Sequence, residues 1–142
     1  MAGREPRRGA QDGLEVVGIY DKVPQDSSTH VVDDCAAAAK EAGADSFLGV
    51  GGGSVMDTAK VADAVFTHGG DARGQEGFFL MPREDDGMGR PLDIAPLACI
   101  PTTAGTGSEV SMAAVIKDHE EKVKLEIADF PLFPRLAVLD PD

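Results

Sequence analysis

Three consecutive glycines, Gly51 to Gly53, stand between a short apolar run, Ser46 to Val50, and a segment where Val55, Ala59, Ala62 and Phe66 recur at helical spacing. An apolar run that feeds straight into such a pattern reads as strand, tight turn and helix. Continuous rather than alternating hydrophobicity marks a strand buried on both faces, as in a parallel sheet. The turn can also do chemistry. Glycine lets the backbone approach a bulky group and adopt positive φ without strain. The first N–H groups of a helix have no intrahelical partner and carry the positive end of its dipole, which suits them to an anion.

The remaining pattern extends this unit. Leu14 to Tyr20, after Gly13, is rich in β-branched residues and is expected to be a strand. Pro24 to Ser28 is a turn able to supply an N-cap, and Thr29 to Glu41 reads as a helix, with Val32, Cys35 or Ala36, and Ala39 on one face and Gly43 at its C-cap. A second helix is expected over Val55 to His68, ended by Gly69-Gly70. Asp71 to Pro91 is mostly glycine and charge around an apolar knot, Phe78 to Met81; it reads as an excursion more readily than as a functional flap with a short helix. Leu97 to Ile100 is a buried strand, Met112 to Lys117 and Lys122 to Ile127 form a hairpin across Asp118 to Glu121, and Leu136 to Leu139 is a last strand. The order indicates an α/β domain: a mostly parallel sheet with helices on both faces, plus a small β-hairpin.

The chain has 142 residues, enough for one core. Its net charge of -12 argues against nucleic acid or an anionic membrane surface as partner. No apolar run approaches the roughly 20 residues of a membrane helix. Cys35 and Cys99, the only two cysteines, read as reduced core residues. Met1 to Ala10 carries Arg4, Arg7 and Arg8 without an apolar stretch, so a disordered tail over residues 1–13 is favoured over a transit peptide, and the cytoplasm is the expected compartment.

Within the first glycine turn Ser54 suits an N-cap, and Asp57 three residues on would complete a capping box. Two readings stand for each polar residue. The glycines serve phosphate binding or tight packing; Asp57 is a ligand contact or only a capping carboxylate; Lys60 reaches Asp57 or a phosphate, or is a solvated charge. The pattern is neither the GxGxxG dinucleotide fingerprint nor a P-loop. A second polar turn, Pro101 to Glu109, follows the Leu97 to Ile100 strand and offers the hydroxyls of Thr102, Thr103, Thr106 and Ser108. Thr106-x-x-Glu109 is also a capping-box pattern. Two such loops match the rule that ligands sit at the carboxyl edge of a parallel sheet.

Together, Gly51-Gly52-Gly53-Ser54-x-x-Asp57-x-x-Lys60 and Pro101-Thr102-Thr103-Ala104-Gly105-Thr106-Gly107-Ser108-Glu109 resemble the paired motifs of the iron-containing (group III) alcohol dehydrogenases, from about Val16 to Pro141. Asp26-Ser27-Ser28 and Lys122-Val123-Lys124 lean toward the hydroxyacid-oxoacid transhydrogenase branch. The resemblance implies that Gly52, Gly53 and Ser54 hold the pyrophosphate of NAD or NADP, with Gly51 also among the cofactor-binding residues. It implies that Thr102, Thr103, Thr106 and Ser108 line its ribose and nicotinamide, and that Lys124 reaches the cofactor. Asp57 and Lys60 match by pattern.

The resemblance also implies a helical domain supplying an aspartate and three histidines to iron or zinc. His30, His68 and His119 do not match that ligand motif, and Met1 to Gly13 holds no counterpart of the first strand and helix or of the acidic residue selecting NAD over NADP. The expectation is therefore a partial dinucleotide-binding domain over residues 14–142, with a small alcohol or hydroxyacid as substrate of the whole enzyme, homo-oligomerisation among its expected states, and no alcohol oxidation by the chain alone. A non-catalytic nucleotide-binding module acting through a partner is the alternative. A dehydroquinate synthase-like lyase is disfavoured by the Thr-rich second motif.

Overall fold

The computed structural model describes residues 13–78 and 94–141. It is a mixed α/β arrangement built around one helix. Helix α1 spans Thr29–Ala42, strand β1 Phe47–Gly51 and helix α2 Gly53–His68. Strand β2 (Gly77–Phe78) follows a 3-10 turn at Arg73–Gln75; then come β3 (Leu97–Pro101), β4 (Ala113–Asp118), β5 (Val123–Ala128) and β6 (Leu136–Ala137).

Strands β1, β3 and β6 form a parallel sheet in that order, with Gly51 registered beside Pro101. Both glycine-bearing loops therefore leave the same edge. A second sheet has the order β2-β5-β4, with β4 and β5 an antiparallel hairpin. Alternation sorts the hairpin's faces: Ala114, Ile116, Leu125 and Ile127 are buried, while Val115 and Lys124 are exposed. At its tip Lys122 takes φ 57°, and the buried Asp118 carboxylate accepts from the N–H groups of Glu120 (2.9 Å) and Glu121 (3.1 Å). Arg73 pairs with the same carboxylate and holds its pKa well below the ordinary range.

Helix α2 is apolar on more than the one expected face. Every residue from Thr58 to Val65 is buried, and so is Met56. Met56 and Ala59 pack on Leu97 and Cys99, whereas Val61, Ala62 and Val65 pack with Val32 and Ala36 of α1 and Ile116 and Ile127 of the hairpin. The helix thus lies between the parallel sheet and the hairpin, which explains why small residues dominate it. Gly49 shows how close the approach is: a Cβ there would sit 3.3 Å from the Ala59 Cβ. Leu48 and Val50, on the other face of β1, are 60% and 51% exposed. This corrects the expectation of a strand buried on both faces: among the described residues α2 covers only one face of it. Gly43 caps α1 in the left-handed conformation and Gly69 ends α2, as the sequence suggests. Cys35 is half-buried, Cys99 is buried, and both are free thiols.

One expected strand does not form. Among the described residues Leu14 to Tyr20 has no sheet partner, and Leu14 and Ile19 are 75% and 74% exposed. A β-branched run favours a strand only where a pleated neighbour can pack against it, and none of the described strands lies beside this one. Of the Asp71 to Pro91 excursion, the start forms the 3-10 turn and β2; the knot from residue 79 onward lies outside the described residues.

Asp63, fully buried on α2, accepts from the Ala95 N–H (3.0 Å) and the Thr67 hydroxyl (3.2 Å) through Oδ1. Among the described residues Oδ2 has no partner. Burial pushes this carboxyl up to about 7, against the two hydrogen bonds that lower it. The folded state therefore keeps the proton longer than the unfolded chain, so stability falls as pH rises from about 4 through about 7. Asp63→Asn is expected to remove that fall and to be the more stable protein at pH 8 by roughly 2 kcal/mol, a discounted share of the linkage energy. Urea denaturation of both proteins at pH 4, 6 and 8 measures it; parallel pH profiles would refute the assignment.

Candidate functional site

The two loops meet over the N-terminus of α2. The Thr102 N–H donates to the Gly51 carbonyl at 2.9 Å, joining the end of β3 to that of β1. Thr103 and Thr106 then lean over the turn: a Cβ on Gly52 would lie 3.1 Å from Thr103 Oγ1, and one on Gly53 would lie 3.5 Å from Thr106. Thr102, Thr103 and Thr106 are all exposed. Gly107, at φ 66°, turns the second loop into a 3-10 turn at Ser108–Val110.

The N-cap of α2 is Gly52, and no side chain caps the helix. Ser54 is inside the first turn, so the Ser54–Asp57 capping box does not form. Ser54 Oγ instead accepts from the Asp26 N–H at 3.2 Å. Thr106 and Glu109 form no capping box either, because Gly107 takes the N-cap position there without a side-chain bond. The Val55 N–H turns back to the Gly52 carbonyl at 3.0 Å, and no side-chain cap meets the N–H groups of Gly53 and Ser54 before it, so these two are the ones suited to an anion.

Asp57 and Lys60 have structural partners. The Asp57 carboxylate accepts from Ser108 Oγ and from the Val115 N–H (3.0 Å), tying α2 to the second loop and to β4. Ser108 is itself buried. Lys60, with no exposed surface, donates to the carbonyls of Ser111 and Ala113, both at 2.9 Å, and to Ser111 Oγ at 3.3 Å. This corrects the expectation that Lys60 reaches Asp57 or a phosphate: its ammonium is spent on the segment joining the second loop to β4. Burial lowers its pKa, and Asp57, Cys99 and Glu109 oppose that shift.

Packing also claims part of the glycine turn. A Cβ on Gly51 would lie 2.7 Å from Val55 Cγ2, so this glycine is required by the close approach of the helix. Gly52 and Gly53 face the threonine loop instead.

Beside the helix N-terminus lies an open cleft of about 190 Å³. Gly53, Ser54 and Asp57 form one wall, and Val115, Lys117 and Lys124 of the hairpin another. Asp26 and Ser27 close the end. Lys124 is brought to the helix N-terminus, about 70 residues away in sequence, by the hairpin's packing on α2. Lys117, Asp26 and Ser27 were not singled out as site residues from sequence. Asp26 and Ser27 lie in the Asp-Ser-Ser turn, which reads as a helix cap and as a feature of the transhydrogenase branch, whereas Lys117 stands out only as the end of the hairpin's first run. Among the described residues no group of three or more His, Cys, Asp or Glu side chains could hold a metal ion. Nor is any described helix long and apolar enough to cross a membrane.

The sequence matches the iron-containing alcohol dehydrogenase family over residues 7–141. It is 38% identical over 132 residues to choline dehydrogenase of Bacillus subtilis (strain 168), covering 92% of this chain and 31% of that protein. It is 36% identical over 138 residues to the mitochondrial hydroxyacid-oxoacid transhydrogenase of Caenorhabditis elegans, covering 94% and 29%. Among solved structures, sulfoacetaldehyde reductase from Bifidobacterium kashiwanohense in complex with NAD+ superposes with a TM-score of 0.72 at 28% identity, over 84% of this chain and 30% of that one. The chain spans less than a third of the length of each of these relatives. Two loops from one edge of a parallel sheet, an uncapped helix N-terminus between them and a match across nearly the whole sequence lead to one assignment: the chain belongs to the iron-containing alcohol dehydrogenase family.

Proposed function

We propose that this chain holds the nicotinamide dinucleotide, NAD or NADP, of a metal-dependent dehydrogenase that moves hydride between an alcohol or hydroxyacid and nicotinamide. The observation that carries the reading is the N-terminus of α2, which has no side-chain cap and is faced by Thr103 and Thr106 on one side and Lys124 on the other. Donors of this kind fit a pyrophosphate with flanking ribose hydroxyls. Gly52, Gly53 and Ser54 are assigned to the pyrophosphate, and Thr102, Thr103 and Thr106 to the ribose and nicotinamide side. Gly51, Asp57, Lys60 and Ser108 act one step back, by holding the turn and the threonine loop in place. The NAD+ bound to the reductase relative supports the cofactor class.

Relatives named for a choline and for a hydroxyacid match at similar identity, 38% and 36%. The reading therefore assigns to this chain the cofactor half of the chemistry, and the alcohol to the remainder of a whole enzyme. Iron or zinc, when bound in such an enzyme, polarises the alcohol oxygen so that hydride can leave. The described residues offer no group of three or more His, Cys, Asp or Glu side chains to hold it.

Titration of the purified chain with NADH, followed by nicotinamide fluorescence, tests the reading. Ser54→Glu, which sets a carboxylate at the helix N-terminus, is expected to weaken binding at least about tenfold by like-charge repulsion. Unchanged NADH affinity in this variant would remove the pyrophosphate from the turn. Alcohol oxidation by the purified chain with iron or zinc added is expected to be nil. Robust turnover there would overturn the division of labour.

A further inference from the structure

We propose that Lys117 is a second cationic contact for the phosphates of the bound dinucleotide, and that the Asp26 carboxylate is the counter-ion it surrenders when that ligand enters. The inference rests on the dinucleotide reading and deepens it.

Lys117 and Lys124 stand directly opposite each other across the hairpin, and both line the cleft at Gly53 and Ser54. Like charges in this position oppose sheet pairing unless something neutralises them. Two carboxylates are within the cleft. Asp57 is committed to Ser108 and the Val115 N–H, which leaves Asp26. Its Oδ2 lies 3.8 Å from Lys117 Nζ, beyond the distance of a charge-assisted hydrogen bond, and both side chains are well exposed at 40% and 62%. Such a pair is weak and easily exchanged. Among the described residues Lys124 has no ion-pair partner. The cleft thus holds two ammonium groups and two carboxylates beside the positive end of a helix, and of the two carboxylates only Asp26 is loosely held and free to exchange.

The backbone holds this arrangement in place. Asp26 adopts φ 55° and donates its N–H to Ser54 Oγ, while the Ser27 carbonyl accepts from the Lys117 N–H at 2.8 Å. Asp26, Lys117 and the first turn of α2 are therefore linked within three hydrogen-bonded neighbours. An anion bound at the turn competes with Asp26 for Lys117. Asp26 then acts as a brake on affinity, and Lys117 as a binding residue.

The experiment compares NADH affinity of the full chain with that of Lys117→Met, Asp26→Asn and the double variant, at low and at moderate salt. Asparagine tolerates the left-handed conformation as well as aspartate does, so Asp26→Asn keeps the turn. Lys117→Met is expected to weaken binding about five- to tenfold, and Asp26→Asn to tighten it about two- to fivefold. The double variant is expected to lose the Asp26→Asn gain, and all differences should shrink as salt screens the exposed charges. Inorganic pyrophosphate displaces NADH if the shared ligand chemistry is the phosphate pair. Unchanged affinity in Lys117→Met with a native circular dichroism spectrum overturns the inference, as does weaker binding in Asp26→Asn. Those results leave the dinucleotide reading standing if Ser54→Glu still weakens binding at least about tenfold. A wild-type chain with no affinity for NADH overturns both.

Discussion

Lys60→Met is expected to destabilise the protein by about 1–3 kcal/mol, because it takes a buried donor from two partly buried carbonyl contacts, and leaving a polar group unpaired costs about that much where water cannot replace the donor. Removing the buried charge returns some of that. The carbonyls are those of Ser111 and Ala113, each 2.9 Å from Nζ, so the loss is felt between the second loop and β4. Midpoints of urea unfolding measure it. The pH dependence adds a signature. Burial lowers the Lys60 pKa, so the folded protein releases this proton before the unfolded chain does. Wild-type stability should therefore rise as pH climbs from the folded value toward the ordinary lysine range near 10.4. Lys60→Met should lack that rise. A variant of full stability that binds NADH poorly would instead make Lys60 the phosphate contact its position in the sequence suggests.

Gly51→Ala is the second large effect. The added Cβ would lie 2.7 Å from Val55 Cγ2, 2.8 Å from Val55 Cβ and 3.1 Å from Cγ1. Valine is stiff at χ1 and its Cβ moves only with the helix, so relief requires shifting α2 away from β1. Overpacking of this kind costs about 1–3 kcal/mol, and the upper end is expected here. Gly51→Ala combined with Val55→Ala should recover most of the loss, since the two residues interact directly. Thermal unfolding of the single and double variants decides this. A double variant no more stable than Gly51→Ala would place the strain elsewhere. The comparison also separates the two uses of the glycine turn: Gly51 serves packing, whereas Gly53 has room for a methyl group 3.5 Å from Thr106.

Much of this architecture is readable in the chain because the signals are local. The glycine end-stops at Gly43 and Gly69 mark helix ends through backbone conformations that only glycine adopts freely. The turn between Met112 to Lys117 and Lys122 to Ile127 announces a hairpin by composition and alternation, and β4 and β5 form there. Leu14 to Tyr20 misleads for the opposite reason: strand formation depends on a neighbour, and β-branched composition does not supply one. The all-round burial of α2 was equally hidden, since its small residues show little amphipathic contrast.

The site divides along the same line. The sequence alone determined that two glycine-bearing loops follow apolar strands, because an apolar run ending in Gly51-Gly52-Gly53 before a helical pattern reads as a strand-to-helix turn. Tertiary structure decided which polar residues remain available to a ligand. It turned Lys60 inward onto Ser111 and Ala113, and committed Asp57 to Ser108 and Val115. It also carried Lys117 and Lys124 to the first turn of α2. A lysine one helical turn from a glycine loop and a lysine on a distant strand look alike as letters. What separates them is which carbonyls and carboxylates the packed chain places around each ammonium, since burial removes the water that would otherwise satisfy it.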